Sequence, residues 1–199
     1  DNYTVIVPER FNFSYDVLDR LAKETPDERA LVWCNDQGEE KIFSYSEIKT
    51  YSEKAASFFQ AQGIRRGEKV MLILKRRYEF WFALLGLHRI GAIAVPATHM
   101  LTKDDLVYRN NAASIKMIVA AYDEKVMEQI EASLEESKSV ELLVSVSGIS
   151  GLYEKSFYNK KRDGWIDFNS GLEEAKDFIA PKREEVNDNE DIMLLYFTS

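Results

Sequence analysis

Val70-Met71-Leu72-Ile73-Leu74 is a run of five apolar residues with nothing polar between them. A strand with one wet face alternates; an unbroken run of this length fits a strand buried on both faces, as in a parallel sheet covered by helices. The flanking sequence agrees. Residues 78–90 are apolar on nearly every side and read as a helix buried in the body of the protein. Ile93-Ala94-Val95 then reads as a short strand, 103–113 as a helix, 115–120 as a strand, 124–137 as a helix and 142–146 as a further strand. Strands alternating with helices of crossover length predict an α/β fold: an open, mostly parallel sheet with helices on both faces.

Local signals mark two of the helix starts. Ser44 and Glu47 stand at capping-box spacing, with Phe43 and Ile48 placed to staple around the cap. Ile48, Tyr51, Ala55 and Phe58 then form one apolar stripe, and Gly63 is a natural stop. Thr102 and Asp105 repeat the device, with Leu101 and Leu106 as the staple. Ahead of them, 30–33 and 41–43 flank Asn35-Asp36-Gln37-Gly38 and predict a small N-terminal β-hairpin. Gly, Ser, Lys and Asn dominate from 147 to 171, which predicts a solvated loop, followed by a short helix over 172–178 that stops before Pro181. An acidic stretch, 184–191, leads into a final apolar strand, Ile192-Met193-Leu194-Leu195-Tyr196-Phe197, and then Thr198-Ser199.

With 45% hydrophobic and 30% charged residues, the 199-residue chain is globular rather than disordered. A net charge of −8 argues against a nucleic-acid surface, which needs a basic stripe, but leaves room for a single phosphate site built from local donors. One cysteine, Cys34, allows no intrachain disulfide and suits a reducing, cytoplasmic setting; its apolar neighbours predict a small core residue. The longest strongly apolar stretch, 80–87, falls far short of the roughly 20 residues of a membrane span.

The familiar signatures of dinucleotide, P-loop, zinc and serine-hydrolase chemistry are absent, and no metal-ligand set is expected. His88, on the buried helix, is expected to be a satisfied structural residue. Ligands of open parallel sheets bind at the carboxyl ends of the strands. Two loops lie there: Lys75-Arg76-Arg77, either a phosphate contact or a solvated turn, and Ala97-Thr98-His99-Met100, whose histidine either meets a ligand or is structural. A strand that delivers Thr198-Ser199 is one way such proteins bring hydroxyls and backbone N–H groups to a phosphate, although many buried strands end in this way without one.

The segments Phe43-Ser44-Tyr45-Ser46-Glu47-Ile48, Gly67-Glu68-Lys69-Val70, Gly91-Ala92-Ile93-Ala94-Val95-Pro96 and Tyr196-Phe197-Thr198-Ser199 occur in an order that resembles the early motifs of the AMP-forming adenylating enzymes. That superfamily includes acyl-CoA synthetases, adenylation domains of peptide synthetases and beetle luciferases. Val7-Pro8-Glu9-Arg10-Phe11-Asn12-Phe13, Pro96-Ala97-Thr98 with Tyr108-Arg109, and Asp163-Gly164-Trp165 are similar to the medium-chain acyl-CoA synthetases in particular.

The resemblance implies that residues 1–199 are the N-terminal part of the large adenylate-forming domain, reaching the first positions of the loop that wraps the ATP phosphates, Thr198 and Ser199. It implies that Thr98, His99 and Met100 lie near the CoA nucleotide, although many relatives carry a hydrogen-bonding side chain where Met100 stands. The implied reactants are a medium-chain fatty or aromatic carboxylic acid, ATP with Mg2+, and coenzyme A. The adenine pocket, the magnesium-holding acid and the catalytic lysine are expected in later sequence, so no catalytic residue is assigned within 1–199. Two other readings stay open: an inert interaction fragment, and an adenylation domain that loads a carrier protein.

Overall fold

The computed structural model describes residues 6–36, 38–147 and 161–198. The chain opens with a π-helical turn, Ser14–Leu18, that runs into α1, Asp19–Glu24. Strands β1 (Arg29–Cys34) and β2 (Glu40–Ser44) pair as the expected antiparallel hairpin. Then come α2 (Tyr45–Ala61), β3 (Lys69–Ile73), α3 (Glu79–Arg89), β4 (Ile93–Pro96), α4 (Lys103–Ala113), β5 (Ile115–Ala121), α5 (Glu124–Ser133), β6 (Leu142–Val146), β7 (Ile166–Asp167), α6 (Phe168–Glu173) and α7 (Arg183–Val186).

The main sheet runs β4-β3-β5-β6-β7, and every pairing is parallel. β3 explains the unbroken apolar run. Val70, Leu72 and Leu74 join one core with Phe58 and Phe59 of α2 and Phe82 and Leu87 of α3. Met71 and Ile73 join a second core with Leu106 of α4 and Val126 and Ile130 of α5. Helices therefore cover both faces. Burying a side chain of this size contributes about 1.5–3 kcal/mol, so moving β3 by one residue would exchange the occupants of both cores at once.

Both capping boxes form: Ser44 Oγ accepts from Glu47 N while Glu47 accepts from Ser44 N, and Thr102 and Asp105 do the same. Helices α2 and α3 cross at Gly86, where a Cβ would stand 2.7 Å from Ala55 Cβ and 2.9 Å from Ala56 N. Tyr51 and Phe82 stack beside this crossing at 4.3 Å. Arg89, fully buried, is held by Asp19 at 2.5 and 3.1 Å and by Ser52 Oγ at 2.8 Å, which ties α1 to the body.

Several sequence expectations need correction. Part of the loop expected over 147–171 lies outside the described residues, but its far end is ordered structure: β7 pairs with β6, and α6 begins at Phe168 rather than 172. Asp167 caps α6 by accepting from Ser170 N, and Phe168 and Leu172, four residues apart, bury the same face. Helix α5 ends at Ser133, four residues early, where the Ser133 hydroxyl donates to the Ile130 carbonyl. Cys34 is exposed, not core, because β1 belongs to a two-stranded hairpin in which Val32 and Cys34 share the outer face. His88 is buried as expected but not satisfied; neither ring nitrogen has a hydrogen-bond partner among the described residues. The final strand forms only a single parallel bridge, Leu194 to Ala94.

Candidate functional site

The carboxyl edge of β3 and β4 carries a cavity of about 680 Å³. Its floor is Leu72, Leu74, Phe80, Pro96 and Ala97, and its polar groups are Lys75, Arg76, Thr98 and His99. Among the described residues no acidic one lines it, although the chain has 34 carboxylates against 26 lysines and arginines. That local sign suits an anionic ligand with an apolar or ring-bearing part.

The basic triplet divides three ways. The turn passes through a left-handed conformation at Lys75, φ 52°, and Lys75 Nζ pairs with Asp123 Oδ2 at 2.7 Å, bridging the ends of β3 and β5. Burial raises the Asp123 carboxyl, but the Lys75 ammonium and the N–H of Val126 hold it below its usual range. Arg77 is buried against Glu79 at 2.8 Å and donates to the Ser147 carbonyl at 3.0 Å, so it locks the sheet edge to α3. Arg76 is exposed on the cavity wall, and its carbonyl accepts from Trp33 Nε1 at 2.8 Å. Of the three, Arg76 is the one placed to meet an anion.

The loop after Pro96 is anchored where Ala97 N donates to the Leu72 carbonyl at 3.0 Å, and it turns where Met100 N donates to Thr98 Oγ1 at 3.3 Å. Thr98 and His99 face the cavity; Met100 does not line it and is 75% exposed. On the other flank of β4, Leu195 N donates to Ala94 O at 3.0 Å and Ala94 N to Met193 O at 3.3 Å. Four residues beyond this bridge, Thr198 is exposed. Ser199 lies outside the described residues. Thr98 and His99 thus share one cavity with Arg76, while the segment that ends in Thr198 is bridged to the other flank of β4.

Among the described residues, no group of three or more His, Cys, Asp or Glu is arranged to hold a metal ion. None of their helices is long and apolar enough to cross a membrane.

The family profile described as "AMP-binding enzyme" matches residues 18–199. The chain belongs to the AMP-binding enzyme family. Among curated relatives, this chain is 33% identical over 176 residues to acyl-coenzyme A synthetase ACSM2A, mitochondrial, of Homo sapiens, covering 85% of this chain and 28% of that one. It is 32% identical over 199 residues to acyl-coenzyme A synthetase ACSM5, mitochondrial, of Rattus norvegicus, covering 97% and 32%. Its fold superposes on the anthranilate CoA ligase AuaEII, solved in complex with anthranoyl-AMP, with a TM-score of 0.79 at 18% identity, covering 97% of this chain and 33% of that one. The chain therefore spans about a third or less of the length of the proteins it matches.

Two features of the site escaped the sequence reading. Asp123, directly after a strand and before a helix, carried an N-cap signal that could have placed it at the carboxyl edge. The contact of Tyr108 and Arg109 with Phe197 spans almost ninety residues and left no local trace.

Proposed function

We propose that residues 1–199 form the N-terminal part of the large adenylate-forming domain of an AMP-forming acid–CoA ligase that acts on medium-chain fatty or aromatic carboxylic acids. The observation that carries this reading is the basic cavity lined by Arg76, Thr98 and His99 at the carboxyl ends of β3 and β4, with the segment that leads to the exposed Thr198 bridged to the other flank of β4.

The reaction needs two anionic reactants in one place. A carboxylate is a poor electrophile, so its oxygen first attacks the α-phosphorus of ATP; pyrophosphate leaves and an acyl-adenylate forms. The CoA thiolate then attacks the acyl carbon, the acyl C–O bond to the nucleotide breaks, and AMP departs with the electron pair. Both steps depend on donors already aimed where charge develops. Thr198 supplies a hydroxyl and a backbone N–H to the phosphates, together with Ser199. Thr98, His99 and Arg76 receive the nucleotide end of CoA, with Phe80 and Pro96 as an apolar wall. Met100 is exposed and does not line the cavity, so it takes no direct part in holding the nucleotide. Magnesium enters as the companion of ATP, and the described residues of this chain offer it no ligand set. A cytoplasmic site of action suits the lone Cys34, and cell fractionation separates that from the mitochondrial setting named for the curated relatives.

Acid-dependent exchange of labelled pyrophosphate into ATP by the full-length enzyme tests the reading. Exchange that requires the acid, followed by AMP and a thioester when CoA is added, is the expected result. ADP as the nucleotide product contradicts it.

A further inference from the structure

The segment that leads to Thr198 lies beside β4 without joining the five-stranded sheet as a strand. One bridge holds it to β4, Ile192 is 58% exposed and Tyr196 64% exposed. Beyond Leu195 its direction depends on side chains. Leu195 and Phe197 turn inward onto the core shared with α4 and α5. Phe197 then meets two consecutive residues of α4. The Tyr108 ring approaches edge-on, with centroids 6.0 Å apart and planes at 70°, and the Arg109 guanidinium lies 5.1 Å from the Phe197 centroid.

Helix α4 is a firm support for such a clamp. Its N-terminus is capped by Thr102 and Asp105, Leu106 and Ala113 are buried, and Asn110 donates to Ser137 Oγ at 3.0 Å. Asn111 donates to the Glu136 carbonyl at 2.8 Å, and Lys103 pairs with Glu136 at 2.7 Å. A cation over a ring face and a second, steeply inclined ring beside it together restrict the plane of that ring. Thr198 follows Phe197 directly, so its Cα is one peptide, about 3.8 Å, from a residue whose orientation the clamp sets.

We propose that Arg109, together with Tyr108, is a positioning residue for the phosphate turn: by clamping Phe197 it aims Thr198 at the ATP phosphates. This rests on the ligase reading above, and it adds a residue pair on a neighbouring helix to the determinants of the first half-reaction. Arg109 touches neither reactant. Its effect falls on adenylate formation and spares the thiol step, in which pyrophosphate has already left.

The full-length enzyme is compared with Arg109→Ala, Arg109→Lys, Phe197→Leu and the Ala–Leu double variant. Two reactions are followed: pyrophosphate exchange across a range of ATP concentrations, and thioester formation from supplied acyl-adenylate and CoA. Arg109→Ala should lower kcat/KM for ATP by about two- to fivefold, the size of a partly exposed cation–π contact. The thioester reaction should be unchanged, and Arg109→Lys, which keeps a cation over the ring, should recover most of the loss. In the Phe197→Leu background the Arg109→Ala effect should vanish, because the two act through one contact. If Arg109→Ala fails to fold, Tyr108→Leu removes the other jaw and carries the same expected signature. Equal loss in both half-reactions, multiplicative effects in the double variant, or unchanged exchange overturns the clamp alone. No exchange by the wild-type enzyme overturns the ligase reading and the clamp's role with it.

Discussion

β3 and the segment 192–198 both flank β4, yet they are built in opposite ways. β3 is paired on both edges and buried on both faces, and its residues 70–73 alternate between two cores. The later segment touches β4 at a single bridge, and Met193 and Tyr196 are exposed. The candidate ligand groups stand on the carboxyl edge between these extremes. Rigidity comes from the centre of the sheet, and the elements that must meet a ligand are left accessible at its margin.

The difference can be broken at its strong end first. Leu72→Ala should destabilise by about 2–5 kcal/mol in urea unfolding, whereas Met193→Ala should stay within about 0.5 kcal/mol. Comparable losses would erase the contrast. His88 gives a pH-dependent version. Burial pushes its imidazole down to about 4, against an ordinary value near 6.5 in the unfolded chain. As pH falls between those values the unfolded state takes up a proton that the folded state refuses, so stability falls with pH and levels off below about 4. The full loss is about 3 kcal/mol. His88→Leu should remove that slope; identical pH profiles would show that the ring is not buried without partners.

Gly86→Ala should cost about 1–3 kcal/mol, because its new methyl meets the backbone of α2 rather than a movable side-chain end. At the margin, Arg76→Ala should leave stability within about 0.5 kcal/mol, since the side chain is exposed on the cavity wall. It should weaken CoA binding by about tenfold in titration calorimetry, the size of one charge-assisted hydrogen bond. An Arg76→Ala enzyme that unfolds easily but binds CoA normally would place Arg76 with the scaffold instead.

Legibility followed the same division. The capped helices α2 and α4 and strands β3 and β6 were readable because their signals are local: a cap, a staple, an unbroken apolar run. The stretch Ser14–Glu24 was not, because distant groups hold it: Ser14 Oγ donates to Leu85 O, and Asp19 receives the buried Arg89. The onset of α6 was misplaced because Gly and Ser read as loop; only the cap at Asp167 and the burial of Phe168 decide it. At the site, the sequence brought the basic triplet and Thr98-His99 to one edge. It could not say which of the three cations is left exposed on the cavity wall, because the choice belongs to Asp123 and Ser147, 48 and 70 residues away. The family resemblance led to Thr198, but the grip on Phe197 is purely tertiary.

The ligase assignment is tested most directly by following an oxygen atom. A carboxylic acid labelled with heavy oxygen is turned over by the full-length enzyme with ATP and CoA, and the products are weighed by mass spectrometry. Attack of the carboxylate on the α-phosphate predicts one labelled oxygen in AMP for each thioester formed. Label in inorganic phosphate with unlabelled ADP would contradict the account.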